Sequence, residues 1–233
     1  MTYTNIHVCM FLTLTCQVHR IFCPKKREMV RKTKAEAEKT RTEILDAAET
    51  VFLEKGAAST SLEEIAREAG VTRGAVYWHF ANKADIIDAL IERTRFPQQD
   101  TIARIAEGDG EDAALALEAI EKACFDSLNL IIDDPQRQRV QTIVLLRMEA
   151  LGDALERRVA YNRTMRQTFT RAFEVAHTQT PLAGNWTPRL AAYAASTMMQ
   201  GMVREWLEDP ERFDLRTDGL SCLRSLFASF KGE

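Results

Sequence analysis

The residues Gly70-Val71-Thr72-Arg73-Gly74-Ala75-Val76-Tyr77-Trp78-His79-Phe80 decide how this chain is read. A helix over 72–80, turning about 100° per residue, brings Val76 and Phe80 onto one stripe that faces a core. Measured from Val76, Tyr77 lies roughly 100° around, Trp78 roughly 200° and His79 roughly 300°, while Gly74, at roughly 160°, shares the face of Trp78. So short an amphipathic helix cannot bury three consecutive large rings, and Trp78 is expected to point away from the core. A glycine inside a helix costs about 1 kcal/mol relative to alanine, which is easier to explain if another backbone comes close there. Thr72, Arg73, Tyr77, His79 and, just beyond, Lys83 place donors around this face. Such a surface suits phosphates and base edges in a major groove. The competing reading is that Tyr77 and Trp78 pack on the following helix and Gly74 is incidental.

Upstream, Ser61-Leu62-Glu63-Glu64 has capping-box spacing, with Ile65, Ala66 and Ala69 as a narrow buried face and Gly70 as the stop. A longer helix is predicted over 37–55, with Ile44, Leu45, Ala48, Val51 and Phe52 as its apolar stripe and Gly56 at its end. Two short helices separated by Gly70-Val71 form the pattern of a helix-turn-helix. Thr60 and Ser61 are read as caps that also reach phosphate through hydroxyl and amide at the helix start.

The run Thr40-Arg41, Ile44-Leu45-Asp46-Ala47-Ala48, Thr60-Ser61-Leu62-Glu63-Glu64-Ile65-Ala66, the stretch from Gly70 to Phe80, and Lys83 together resemble the DNA-binding domain of the TetR family of bacterial repressors. Within that family the chain is similar to the AcrR and TtgR type, repressors of multidrug efflux pumps. The similarity begins at Met29-Val30-Arg31-Lys32-Thr33-Lys34 and is most specific over 29–85. It is weaker further on, at Gly201-Met202-Val203-Arg204-Glu205-Trp206-Leu207 followed by Pro210, Phe213 and Leu215. The resemblance implies a homodimer whose last two helices pair as a four-helix bundle. It also implies a pseudo-palindromic operator of double-stranded DNA, because two reading helices are held a helical turn or its multiple apart. A small-molecule effector that prefers the wrong helix spacing would lower operator affinity by linkage.

Composition agrees with a soluble globular protein. The 233 residues are 45% hydrophobic and 28% charged, with only 10 glycines and 6 prolines, which excludes collagen-like, mucin-like and disordered classes. A net charge of -3 does not itself advertise a nucleic-acid partner, but the charge is unevenly placed. Arg20, Lys25, Lys26, Arg27, Arg31, Lys32 and Lys34 stand against Glu28 alone, so a basic arm precedes an acidic body. Arms of this kind are commonly solvated tails and sometimes lie along phosphates. Residues 1–35 are read as a basic, disordered extension, with 1–28 as upstream translation and Met29 as an alternative start. Cys9, Cys16 and Cys23 show neither zinc nor disulfide spacing, and Cys124 and Cys222 fit buried thiols in a reducing cytoplasm. The apolar run 6–15 lacks the flanks of a secretory signal and is too short to span a bilayer.

The remaining apolar residues recur at helical spacing, with no sustained alternation of β-branched residues, so the fold class is all-α with about nine helices. The expected division is a helix-turn-helix DNA-binding domain over 36–82 and a ligand-binding and dimerisation domain over 83–233. Pro97 interrupts an otherwise continuous helix over 83–106 and is expected to kink or break it, making that helix the candidate lever between the halves. Further helices are predicted over 112–132, 136–150, 153–178, 187–207 and 217–230. The last two carry Ala191, Ala192, Ala194, Ala195, Met198, Met199, Met202 and Trp206, then Leu220, Leu223, Leu226, Phe227 and Phe230. This is more apolar surface than one chain needs, unless these helices only cap its own core.

Cys124, Leu128, Gln141, Val144, Leu145, Met148, Phe169, Phe173, Ser196 and Met199 are the candidate lining of an apolar ligand cavity for a hydrophobic, poorly charged effector. Each apolar member also fits ordinary core. No cofactor, metal or membrane partner is expected. His7, His19, His79 and His177 are scattered without metal spacing, and neither a Gly-rich phosphate loop nor a nucleophile-base pair suggests an enzyme. The reading is therefore a cytoplasmic, ligand-responsive repressor of a multidrug efflux operon. The alternatives are a repressor of another pathway such as lipid or aromatic catabolism, a helical carrier or enzyme that does not bind DNA, and a purely structural dimer.

Overall fold

The computed structural model describes residues 33–109, 115–148 and 152–232. The basic arm before Thr33 lies outside the described residues. So do 110–114, which include the expected helix start at 112, and 149–151, which include the expected helix end at 150. Among the described residues all regular structure is helical, in ten α-helices and one π-helical turn, so the all-α reading is borne out.

The first helix, α1 (Lys34–Lys55), starts earlier than its apolar stripe suggests, because Thr33 and Glu36 form a reciprocal capping box. The helix-turn-helix pair follows as α2 (Leu62–Glu68) and α3 (Arg73–His79). Gly70 takes a φ of 64° in the turn between them, a backbone conformation open to glycine.

Pro97 breaks the next segment into α4 (Lys83–Arg93) and α5 (Gln98–Glu107). A proline has no N–H with which to continue the ladder, so the carbonyls at the end of α4 need other donors. The Arg137 guanidinium supplies them, bonding the carbonyls of Thr94 and Arg95. The body continues through α6 (Ala116–Asp133), α7 (Pro135–Leu146), α8 (Gly152–Gln179), α9 (Pro188–Glu208), the π turn Leu215–Gly219 and α10 (Leu220–Lys231).

Two cores form. Ile44, Leu45, Ala48 and Phe52 of α1 pack with Ile65, Val76, Phe80 and with Ile86, Ile87 and Leu90 of α4. The second core gathers Ile105, Ile120, Leu128, Phe173, Ala195, Leu223, Phe227 and Phe230. The break in packing thus falls near Pro97, and α4 packs with the N-terminal core although the expected boundary stood at 82/83.

Helix α7 is the seam between them. Val140 and Ile143 are buried in the N-terminal core, while Leu145 packs against the second. Polar groups reinforce the seam: buried Glu49 of α1 takes Arg93 of α4 at 2.5 Å and also Arg139 of α7. Arg93 reaches Asp46 as well, and Arg157 of α8 holds Asp85 and Asp88 of α4 at 2.9 and 2.6 Å.

Candidate nucleic-acid interface and effector cavity

Helix α3 is set by its neighbours before it meets any ligand. Thr72 caps it, its hydroxyl accepting from the Ala75 N–H at 3.2 Å. Val76 is fully buried and Phe80 nearly so, with the Arg41 guanidinium 5.3 Å from the Phe80 ring. These anchors turn the opposite face outward, leaving Trp78 71% and Tyr77 45% exposed. Neither ring is buried against the following helix. The Trp78 ring meets His79 edge-on at 4.4 Å, and His79 is half-buried.

Gly74 has no internal reason to be glycine. Its backbone is ordinary helix, and a Cβ built there would find only the Thr72 hydroxyl, at 3.9 Å. The residue lies open on the same outward surface as Trp78.

Charge on this surface is prearranged. Two carboxylates stand on the first turn of α2, Glu63 beside α3 through Arg73, where they would repel a phosphate. Both are matched by cations. Glu63 pairs with Arg73 at 2.8 Å, and Glu64 takes Lys55 at 2.7 Å. The Lys55 hydrogen bond, then the Ser61 N–H and hydroxyl, hold the Glu64 carboxyl at about 2, well below its ordinary range. Arg73 also bonds the Tyr77 hydroxyl at 3.4 Å and lies 5.2 Å from that ring. An exposed ion pair such as Arg73–Glu63 contributes little to stability, so the guanidinium can exchange Glu63 for another anion at small cost.

Three of the expected contact residues also have partners inside the domain, and Ser61 takes its expected place as the N-cap of α2. Thr60 is buried, and its hydroxyl donates to the Gly56 carbonyl at 2.8 Å. The Ser61 hydroxyl accepts from the Glu64 N–H and donates to its carboxylate, while the Ser61 N–H binds that same carboxylate at 2.9 Å. Lys83 reaches back to the carbonyls of Ala57 and Ala58 at 2.7 and 2.9 Å, and partial burial lowers the pKa of its ammonium. Thr60 and Lys83 share a cause, since both donate to carbonyls of the segment 56–58 between α1 and α2.

In the body a cavity of about 240 Å³ lies between α5, α6, α7, α8 and α9. Cys124, Leu128, Gln141, Leu145, Phe169, Ser196 and Met199 stand on its wall. Three expected members do not. Val144, because α7 carries apolar residues on opposite faces, and Met148, just beyond the end of that helix, pack with the N-terminal core. Phe173, one turn beyond Phe169, is buried in an aromatic cluster with Phe230 at 5.6 Å and Phe227 at 6.4 Å.

Polar groups unremarked in the sequence complete the wall. Gln99 donates to the Tyr161 hydroxyl at 2.8 Å, and Asn162 and Arg166 project from α8. The buried Gln98 side-chain oxygen has no hydrogen-bond partner among the described residues. Burial pushes the Cys124 thiol well above its ordinary pKa, so it stays neutral. The break at Pro97 is the one signal that could have placed Gln98 and Gln99 here, since it starts a new helix at that point.

A buried-anchor helix-turn-helix with an outward aromatic pair defines the class: an all-helical DNA-binding regulator. Residues 44–90 match the profile of bacterial regulatory proteins of the tetR family. The chain is 36% identical over 205 residues to the transcriptional repressor BepR of Brucella suis, spanning 87% of this chain and 97% of that protein. Its fold is similar to the crystal structure of NalD, the secondary repressor of the MexAB-OprM multidrug efflux pump in Pseudomonas aeruginosa. That match has a TM-score of 0.70 and 36% identity over 83% of this chain and 97% of NalD. It is also similar to the triclosan complex of SmeT, the repressor of a Stenotrophomonas maltophilia multidrug efflux pump, with a TM-score of 0.72 and 30% identity over 82% and 91% of the two chains. The chain belongs to the TetR family, a family of transcriptional regulators and not of enzymes. It is a TetR-type transcriptional repressor related to multidrug efflux repressors.

Proposed function

We propose that the protein represses a multidrug efflux operon by binding a pseudo-palindromic operator as a homodimer, and that a hydrophobic small molecule in the central cavity releases it. The observation that carries this reading is the outward face of α3, with Trp78 and Tyr77 exposed beside a glycine that the fold itself does not require. On this reading Arg73, Tyr77, Trp78 and His79 meet phosphates and base edges, and Thr72 and Gly74 allow the backbone to come close. Thr60, Ser61 and Lys83 act indirectly, by holding the loop that sets α2 against α1.

The cavity supports the second half of the proposal. Its wall is mainly apolar with a few polar groups, and the triclosan complex of SmeT gives a precedent for a compact aromatic ligand in a similar fold. Gln98, Gln99, Gln141 and Ser196 supply polar groups to this wall. Gln141 and Leu145 of α7 line the cavity, while Val140 and Ile143 of the same helix are buried against the DNA-binding unit. Movement of α7 would therefore reach that unit, which on this account runs from 36 to the end of α4. No helix among the described residues is long and apolar enough to cross a membrane.

For the dimer, the apolar stripe of α10 does not supply a surplus, since Leu223, Phe227 and Phe230 are buried in this chain's own core. Support comes from smaller groups on the outer faces: Ser221, Ser225 and Ser229 on α10 and exposed Gly201 on α9, with half-buried Met198 and Leu226 beside them. A Cβ at Gly201 would meet nothing within 4 Å, so the helix is left open to close approach by a second copy.

The test is fluorescence anisotropy of the purified protein titrated onto DNA from upstream of its own gene, at several salt concentrations, with Tyr77→Ala alongside. Binding tighter than to scrambled DNA, weakened in the variant together with its salt dependence, is the expected result. A variant that binds as well as the parent at every salt concentration removes the assignment.

A further inference from the structure

We propose that a second site, an open groove of about 600 Å³ on the outer side of α8 and α9, binds an organic anion with an aromatic body. Arg163, Arg166 and Arg171 from α8 and Arg189 from α9 surround this groove, with Glu174 as the one carboxylate on its wall. None of the four guanidiniums forms an ion pair among the described residues. The neighbouring Arg157 of α8 takes two carboxylates, and Arg204 of α9 takes Glu208. Four like charges facing one concavity repel each other, and an anion placed among them relieves that repulsion.

The arginines are also held in place. Arg166 and Arg189 both lie by the Tyr193 ring, 4.8 and 5.8 Å from its centre, which ties two planar donor forks to one side chain of the groove wall. Planar forks of this kind match the paired oxygens of a carboxylate, sulfonate or phosphate. Val159 and Tyr193, 50% and 42% exposed, supply the apolar wall that an aromatic body would cover.

Arg166 belongs to the wall of the central cavity as well. Arg166 thus borders both spaces. This site is separate from the uncharged effector's cavity, and its existence does not depend on operator binding.

The experiment compares two dyes of one ring system on the full chain. 8-Anilinonaphthalene-1-sulfonate carries the anion, and N-phenyl-1-naphthylamine lacks it. The double variant Arg163→Gln/Arg171→Gln is expected to weaken sulfonate binding by about tenfold or more, the loss of one or two charge-assisted hydrogen bonds, and to leave the neutral dye unaffected. Leu128→Trp, which fills the central cavity, is expected to displace the neutral dye and spare the sulfonate. Sulfonate affinity within about twofold of the parent in the double variant overturns the proposal. So does loss of the sulfonate in Leu128→Trp, which would put it in the central cavity, or dissociation of the double variant in sedimentation, which would make the groove a contact with a second copy. Arg189→Gln, at an exposed position, replaces the double variant if that one does not fold.

Discussion

Replacing Gly74 by alanine separates what the fold needs from what a ligand needs. The residue is helical, and the added methyl meets nothing closer than the Thr72 hydroxyl at 3.9 Å, an ordinary contact. Helix propensity then favours alanine by about 0.8–1 kcal/mol. For a chain of this size that corresponds to a rise in melting temperature of roughly 2–4 °C. If DNA comes close at this position, the same methyl pushes its backbone away on the face that carries Trp78. An affinity loss of about tenfold, near 1.4 kcal/mol, is the expected consequence. Stability and operator affinity should therefore move in opposite directions, measured by circular-dichroism melting and by anisotropy on the operator fragment. A variant that melts lower than the parent would mean that the glycine serves the fold. A variant that binds DNA unchanged would mean that nothing approaches there, and either result refutes the reasoning.

Other perturbations follow from the same contacts. Because the Glu64 carboxyl is held at about 2 against an ordinary 4.5, its contribution is fully present above pH 4.5 and disappears as the pH falls toward 2. Glu64→Gln should flatten this part of the acid limb in melts recorded from pH 5 downward, and an unchanged limb would mean that the cap does not control it. Glu49→Ala leaves Arg93 and Arg139 without their shared buried partner, although Arg93 keeps Asp46. A loss of about 3 kcal/mol in urea unfolding is expected, and a loss under about 1 kcal/mol would show that the ion-pair knot does not hold the seam. Lys83→Met removes both donors to the Ala57 and Ala58 carbonyls, so it should lower thermal stability as well as DNA affinity. A variant that loses salt-dependent DNA binding at full stability would instead make Lys83 a direct phosphate contact.

The reading helix was legible because a seven-residue helix gives its side chains few alternatives. With Val76 and Phe80 committed to the core, geometry alone sends Trp78 outward, and its exposure agrees. The internal partners of Thr60 and Lys83 were not legible, since they are carbonyls of a loop whose path the sequence pattern does not fix. Helix α7 shows the limit of periodicity in another way. It is apolar toward both the DNA-binding unit and the cavity, and spacing alone cannot say which side Val144 or Leu145 serves. The polar wall of the cavity was hidden for another reason, because nothing in the residue types Gln98, Gln99, Asn162 and Arg166 distinguishes a cavity wall from a solvated face. At α10 the apolar count suggested a partner surface; Leu223, Phe227 and Phe230 are buried in the second core, while Leu220 and Leu226 are half-buried.

The central claim is that one small molecule and one operator compete through the body of this protein, and linkage gives it a direct measurement. Triclosan, the ligand in the SmeT complex, serves as the probe, titrated into the protein alone and into the protein saturated with operator DNA. The account predicts that DNA weakens triclosan binding by the same factor by which triclosan weakens DNA binding, about 5–150-fold for couplings of ordinary size. Triclosan that binds the free and the DNA-bound protein with equal affinity would contradict it.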